Sequence, residues 1–86
     1  MPQGAIAVSL VFVFERPKNW PKKRRPLYHT SKPDTDNLIK FFLDAGNGIL
    51  WQDDCQIADI TAQKVYGEVA QTVAIIRELD NEQGNL

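Results

Sequence analysis

Two short acidic clusters carry the chemistry this chain could perform. The first is Pro33-Asp34-Thr35-Asp36-Asn37-Leu38-Ile39-Lys40. The second, Asp53-Asp54, lies within Gly48-Ile49-Leu50-Trp51-Gln52-Asp53-Asp54-Cys55-Gln56. A hard divalent cation such as Mg2+ takes oxygen ligands, carboxylates first, with water and substrate phosphate completing an octahedron. Such an ion lowers the pKa of bound water and offsets charge on a scissile phosphate. Asp36 and Lys40 are four residues apart and share a helix face. A lysine placed there can stabilise negative charge developing on a phosphate. Each residue also has a plainer role. An aspartate at a helix N-terminus caps free N–H groups, worth about 0.5–2 kcal/mol. Asp36 and Lys40 could form a surface ion pair worth about 0.3–0.5 kcal/mol, and Asp53-Asp54 could be a turn. Four acids converging on one helix end would repel one another unless a cation sat among them. Spacing alone leaves the metal reading and the structural reading balanced.

The elements around these clusters follow from the apolar pattern. Residues 5–14, Ala-Ile-Ala-Val-Ser-Leu-Val-Phe-Val-Phe, are β-branched and aromatic with little polar content, which predicts a strand covered on both faces and therefore interior. Residues 16–33, punctuated by Pro17, Pro21, Pro26 and Pro33, read as a flexible basic loop. From Asp34 to Ala45, Leu38, Phe41, Phe42 and Ala45 make an apolar stripe at helical spacing, and Gly46-Asn47-Gly48 closes the helix. Gln56 to Tyr66 alternates, with Ala58, Ile60, Ala62 and Tyr66 on one side. Thr72 to Leu79 is a further β-rich run. The short Gly67-Glu68-Val69 link predicts that these two strands pair as an antiparallel hairpin. Residues 81–86 read as a tail.

The predicted fold is a small α+β domain of order β-α-β-β, one domain over 1–86, with a mainly antiparallel three-stranded sheet and one helix. One helix can cover only one face of the inner strand, which predicts a homodimer. The chain has 86 residues, 43% of them hydrophobic and 24% charged, and a lone core of that size is marginal. No apolar run approaches the ~20 residues of a membrane span, and residues 5–14 lack the flanks of a signal peptide. A single cysteine, Cys55, allows neither an internal disulfide nor a thiolate metal site, so a reducing, cytoplasmic setting is expected. The net charge of −1 hides an asymmetry. Residues 1–40 carry eight Lys/Arg against three acids (+5), and residues 41–86 carry two against eight (−6). Such a chain can offer phosphate one face and hold a cation at another.

The run Lys32-Pro33-Asp34-Thr35-Asp36-Asn37-Leu38-Ile39-Lys40, then Leu43-Asp44-Ala45, Asn47-Gly48, Trp51, Asp53-Asp54, Gln56 and Lys64, resembles the RusA family of Holliday-junction resolvases. The resemblance covers about residues 5–79 and is most specific over 32–56. It implies a small dimeric endonuclease that uses Mg2+ (or Mn2+) to place paired nicks in four-way DNA junctions during recombination and repair. Carried over by position, Asp34, Asp36 and Asp54 are the implied metal residues, and Lys40 is the implied catalytic lysine. The pattern departs from the family at Phe41, more often alanine, and at Gly46, usually leucine. The family also carries a strand and a helix ahead of the strand that opens this chain, so the expectation is an N-terminally short form. The alternative to an active nuclease is a truncated prophage remnant that dimerises or binds branched DNA without cutting it.

Supporting residues are less specific. Lys18, Lys22, Lys23, Arg24 and Arg25, with Trp20 among them, could contact DNA phosphates or simply solubilise a loop. Lys64, on the apolar side of its strand, could reach the carboxylates or phosphate, or snorkel to solvent. Trp51 and Tyr66 read as core, His29 as surface, and Cys55 as buried and inert.

Overall fold

The computed structural model of the chain describes residues 1–80, so the expected tail lies outside the described residues. Strand β1 spans Ile6–Glu15, helix α1 spans Thr35–Gly46, a short 3-10 turn covers Asp54–Gln56, and strands β2 and β3 span Ile57–Gly67 and Gln71–Glu78. The architecture is small α+β, with one helix on a three-stranded sheet.

Strand β1 holds the centre of the sheet, in the order β2-β1-β3. The most apolar strand takes the position where both edges are paired, as its composition predicts. Ile6, Val8, Leu10 and Phe12 are buried on the face toward the helix, and with Trp51 they form the core. Leu38, Ile39, Phe42 and Leu43 of α1 pack against them, joined by Phe14, Ile57, Ala62 and Ile76.

The sheet is mixed, and the expected hairpin is not formed. β1 pairs with β2 in parallel and with β3 antiparallel, while β2 and β3 are separated by β1. The segment containing α1 is a crossover long enough to return β2 parallel to β1. The link from Gly67 to Gln71 then crosses the end of β1. Its four Cα steps reach about 13 Å when extended, against roughly 9.5 Å for two strand spacings. Three residues therefore suffice, and β1 gains a partner on each side.

Two further details depart from the pattern. The packed stripe of α1 is Leu38, Ile39, Phe42 and Leu43, whereas Phe41 is 76% exposed and Ala45 is exposed. The apolar run Leu38–Leu43 supports either stripe, and contact with β1 selects the one that turns Lys40 and Asp44 outward. In β2 the register shifts between Ile6 and Ala7, whose partners are Ile57 and Asp59. Ala58 is the residue left over, and it is exposed.

The far face of the sheet is open. In β3, Val73 and Ile75 remain 41% and 62% exposed, and Ser9 at the middle of β1 is exposed. Residues of the basic loop close one edge instead. Tyr28 bridges to Val65, the His29 N–H donates to the Lys64 carbonyl, and the Tyr66 N–H donates to the Leu27 carbonyl. A short stretch of the segment expected to be flexible thus lies along the edge of β2, held by one isolated bridge and two flanking hydrogen bonds.

Candidate functional site

Helix α1 begins at Asp34, which occupies the N-cap with extended backbone (φ −69°, ψ 150°). Its carboxylate caps nothing: no side-chain hydrogen bond to the first turn is made. The plainest role for that aspartate is therefore not taken up, and its oxygens are available to a ligand. Asp36 follows in the first turn, exposed, with Lys40 one turn further on and also exposed.

Asp54 is held in a different way. Trp51 is fully buried under the helix end, and its indole Nε1–H donates to Asp54 Oδ1 at 2.6 Å. A hydrogen bond to an ionised acceptor is stronger than a neutral one, so this contact fixes where the carboxylate points. Trp51 finds room because residue 46 is glycine. A Cβ at Gly46 would come within 2.7 Å of Cη2 and 3.0 Å of Cζ2 of the indole.

The turn around Asp54 is braced on both sides. Asp53 caps the 3-10 turn, its carboxylate accepting from the Cys55 N–H at 2.9 Å. Gln56 completes a reciprocal cap. Its Oε1 accepts from the N–H groups of Gln52 and Asp53, while its Nε2 donates to the carbonyls of Pro2 and Gly4. The acidic turn is thereby tied to the segment that leads into β1. The Cys55 N–H and side chain hold the Asp53 carboxyl below its usual range. The same hydrogen bonding and charge push the Cys55 thiol up, so it stays protonated. Cys55 is exposed rather than buried as expected, because the turn aims it outward.

The all-oxygen donor set of Asp34, Asp36 and Asp54 suits Mg2+ in kind. The arrangement is less complete. Among the described residues, no group of three His, Cys, Asp or Glu side chains is assembled that could hold a metal ion. What the structure supplies is one carboxylate fixed by Trp51 and one left free at the N-cap.

The basic residues are placed as follows. Lys18, Lys22, Lys23, Arg24 and Arg25 are all exposed on the loop. Lys64 pairs in register with Phe12 on the helix side of the sheet, and its Nζ donates to the Ser31 carbonyl at 2.6 Å. That bond moors the loop three residues before Asp34, a positioning contact the sequence did not reveal. Trp51 is core, as expected, and Tyr66 is half-buried. His29 is half-buried rather than fully on the surface. Its ring stacks on Phe14 (centroids 3.9 Å apart), its Nδ1 is buried without a hydrogen-bond partner, and burial followed by the Lys64 charge lowers its pKa.

Sequence reasoning missed Trp51 as the partner of Asp54 and Gln56 as the brace of the turn. The second had a legible signal, since Asp53-x-x-Gln56 is a capping-box spacing. The first had only proximity, three residues apart.

Comparison with known proteins follows the same residues. The family model described as "Endodeoxyribonuclease RusA" matches residues 1–77. A curated relative, "Uncharacterized protein YqaN" of Bacillus subtilis (strain 168), is 40% identical over 50 residues, which is 58% of this chain and 35% of that protein. The match thus spans about a third of the relative's length. No solved structure matches the chain. No helix among the described residues is long and apolar enough to cross a membrane.

Proposed function

This chain belongs to the RusA endodeoxyribonuclease family, and on that premise we propose that it is a divalent-cation-dependent endonuclease acting on four-way DNA junctions. The observation that carries the reading is the state of two carboxylates: Asp34 stands at a helix N-cap without capping, and Asp54 is oriented by a buried tryptophan. A purely structural aspartate would be spent on the helix end. The helix end does not use the Asp34 carboxylate, and the Asp54 carboxylate, which satisfies the buried indole N–H through Oδ1, keeps its second oxygen for a ligand.

In this reading Asp34, Asp36 and Asp54 hold Mg2+, with Mn2+ as a substitute. When bound there, the ion activates water and offsets phosphate charge. The residues of the chain supply the rest. Trp51 keeps the Asp54 carboxylate from rotating away, which reduces the reorganisation needed when DNA arrives. Lys40, one turn along the helix from Asp36, places a positive charge where a phosphate would gain negative charge. The exposed lysines and arginines of residues 16–33 neutralise the DNA backbone, a contribution that falls steeply with salt.

Two copies would supply the paired nicks, and the open face bearing Val73 and Ile75 is where a second copy or a further segment would add cover. A role in recombination and repair follows from the substrate. A non-cutting remnant that only binds branched DNA is the competing reading.

The test is incubation of an end-labelled four-way junction with the full chain, with and without Mg2+, resolved on a denaturing gel. Symmetrical nicks that require the cation are expected. Asp54→Asn should abolish them while preserving or tightening junction binding, because it removes a negative charge near DNA. Binding without cutting across the whole Mg2+ range would establish the remnant instead.

A further inference from the structure

We propose that the basic loop holds a binding site for one unpaired nucleobase, and is not merely a general phosphate contact. This rests on the reading above only in taking DNA as the partner. Two adjoining hollows carry the inference. The first is lined by Trp20, Arg24, Arg25, Tyr28 and Tyr66, with Pro26, Thr30 and Ser31 at its margin, and it contains no acidic residue. The second lies across the same loop and is lined by Arg16, Lys18 and Lys22 among others. Trp20, Arg24 and Arg25 belong to both.

The first hollow has the composition of a stacking platform. Three aromatic rings meet two guanidinium groups, and flat π-faces bind any base without reading its sequence. Trp20 is held edge-on to Tyr66 at 5.0 Å, and the Arg24 guanidinium lies 4.7 Å over the indole. Arg24 is itself exposed, so its plane can extend the stack to an incoming base. Tyr28 is 56% exposed, although its backbone is fixed by the bridge to Val65. With the backbone already pinned, ordering this side chain on binding costs only its own rotamer freedom, which is small for an aromatic with two torsions.

The second hollow supplies the phosphate side. Lys18, Lys22 and Arg24 line it as exposed cations that can donate to phosphate oxygens. Glu15 and Glu68 also line this hollow, so a phosphate would be drawn toward its Lys18, Lys22 and Arg24 side. Base on one flank of Trp20 and phosphate on the other is the footprint of a single nucleotide lifted out of its stack. At a branch point, where strands exchange partners, such a nucleotide is available without opening a duplex interior.

The experiment compares two labelled single-stranded probes of equal length and equal phosphate count, one oligo-dT and one fully abasic, by fluorescence anisotropy with the full chain. The oligo-dT probe is expected to bind roughly five- to one-hundred-fold more tightly, the range one stacked base provides. It should also quench tryptophan emission, a signal from Trp20 because Trp51 is fully buried. Trp20→Ala should bring the two probes to equal affinity while leaving the salt dependence unchanged. Tyr28→Ala, at an exposed side chain, should narrow the gap without loss of fold. Equal affinity of the native chain for both probes, or an undiminished preference in folded Trp20→Ala, would overturn the proposal. Junction cleavage is scored separately: a chain that cuts but shows no base preference defeats this inference alone, and one that prefers oligo-dT but never cuts defeats only the nuclease reading.

Discussion

Replacing Gly46 with alanine tests how the helix end and the acidic turn are coupled. The added Cβ would sit 2.7, 3.0 and 3.2 Å from Cη2, Cζ2 and Cζ3 of Trp51. Carbon atoms in contact prefer about 3.5–4.0 Å, so the indole must retreat by several tenths of an ångström. It is fully buried among Ile6, Val8 and Leu10, and a close-packed interior transmits that displacement rather than absorbing it. Overpacking of this kind costs about 1–3 kcal/mol. In the opposite direction, alanine gains up to about 1 kcal/mol in helix propensity, and less here because Gly46 is the last helical residue. The net expectation is a loss of about 1–2 kcal/mol, or a fall in Tm of roughly 5–15 °C for a chain this small. Thermal unfolding followed by circular dichroism reads it directly. Residues in contact do not add. In a Trp51→Phe background, which removes the outer ring, the same glycine-to-alanine change should cost much less. An unchanged or raised Tm for Gly46→Ala, or full additivity in that double mutant, would refute the packing argument.

Trp51→Phe by itself removes the donor to Asp54 along with ring volume; it should cost about 2–4 kcal/mol in urea denaturation and, in the active protein, raise the Mg2+ concentration needed for half-maximal cleavage. Asp34→Asn should leave Tm nearly unchanged, within about 0.5 kcal/mol, because that carboxylate makes no cap, yet it should eliminate cutting; a clear loss of stability would show that the side chain serves the helix after all. His29 gives a pH dependence of definite sign. Its folded pKa is lowered from 6.5 by burial and then by Lys64, so the unfolded chain binds the proton more readily. Stability should rise with pH through the window below about 6.5 and level off above it, and His29→Phe should remove that slope in denaturation midpoints measured from pH 5 to 8.

Several features of this protein were legible from residue types alone. The unbroken apolar run of β1 marked it as the interior strand, because only a strand paired at both edges can shed so much polar content. The Asp34 to Ala45 segment carried its own start and stop, and Trp51 was too apolar to stand outside the core. Spacing singled out Asp34, Asp36 and Asp54 as candidates without showing how any of them is held. Each of these rests on near neighbours in the chain, where period and propensity act.

What the tertiary structure decided is which distant residues meet. Thr72 to Leu79 could have closed a hairpin on the preceding strand. It crosses β1 instead, because an open edge on the most apolar strand would leave unpaired backbone and exposed side chains. The helix could have turned Phe41 inward, and the ridge that fits β1 chose Leu38, Ile39, Phe42 and Leu43. Likewise His29, placed in a loop by its neighbours, is half-buried because Phe14 and Tyr66 lie on strands brought beside it. The bond from Trp51 to Asp54 exists only because Gly46 leaves space for the indole. Local pattern assigns an element and its faces. The choice between faces of similar apolarity belongs to long-range packing, where total burial is compared across the whole chain.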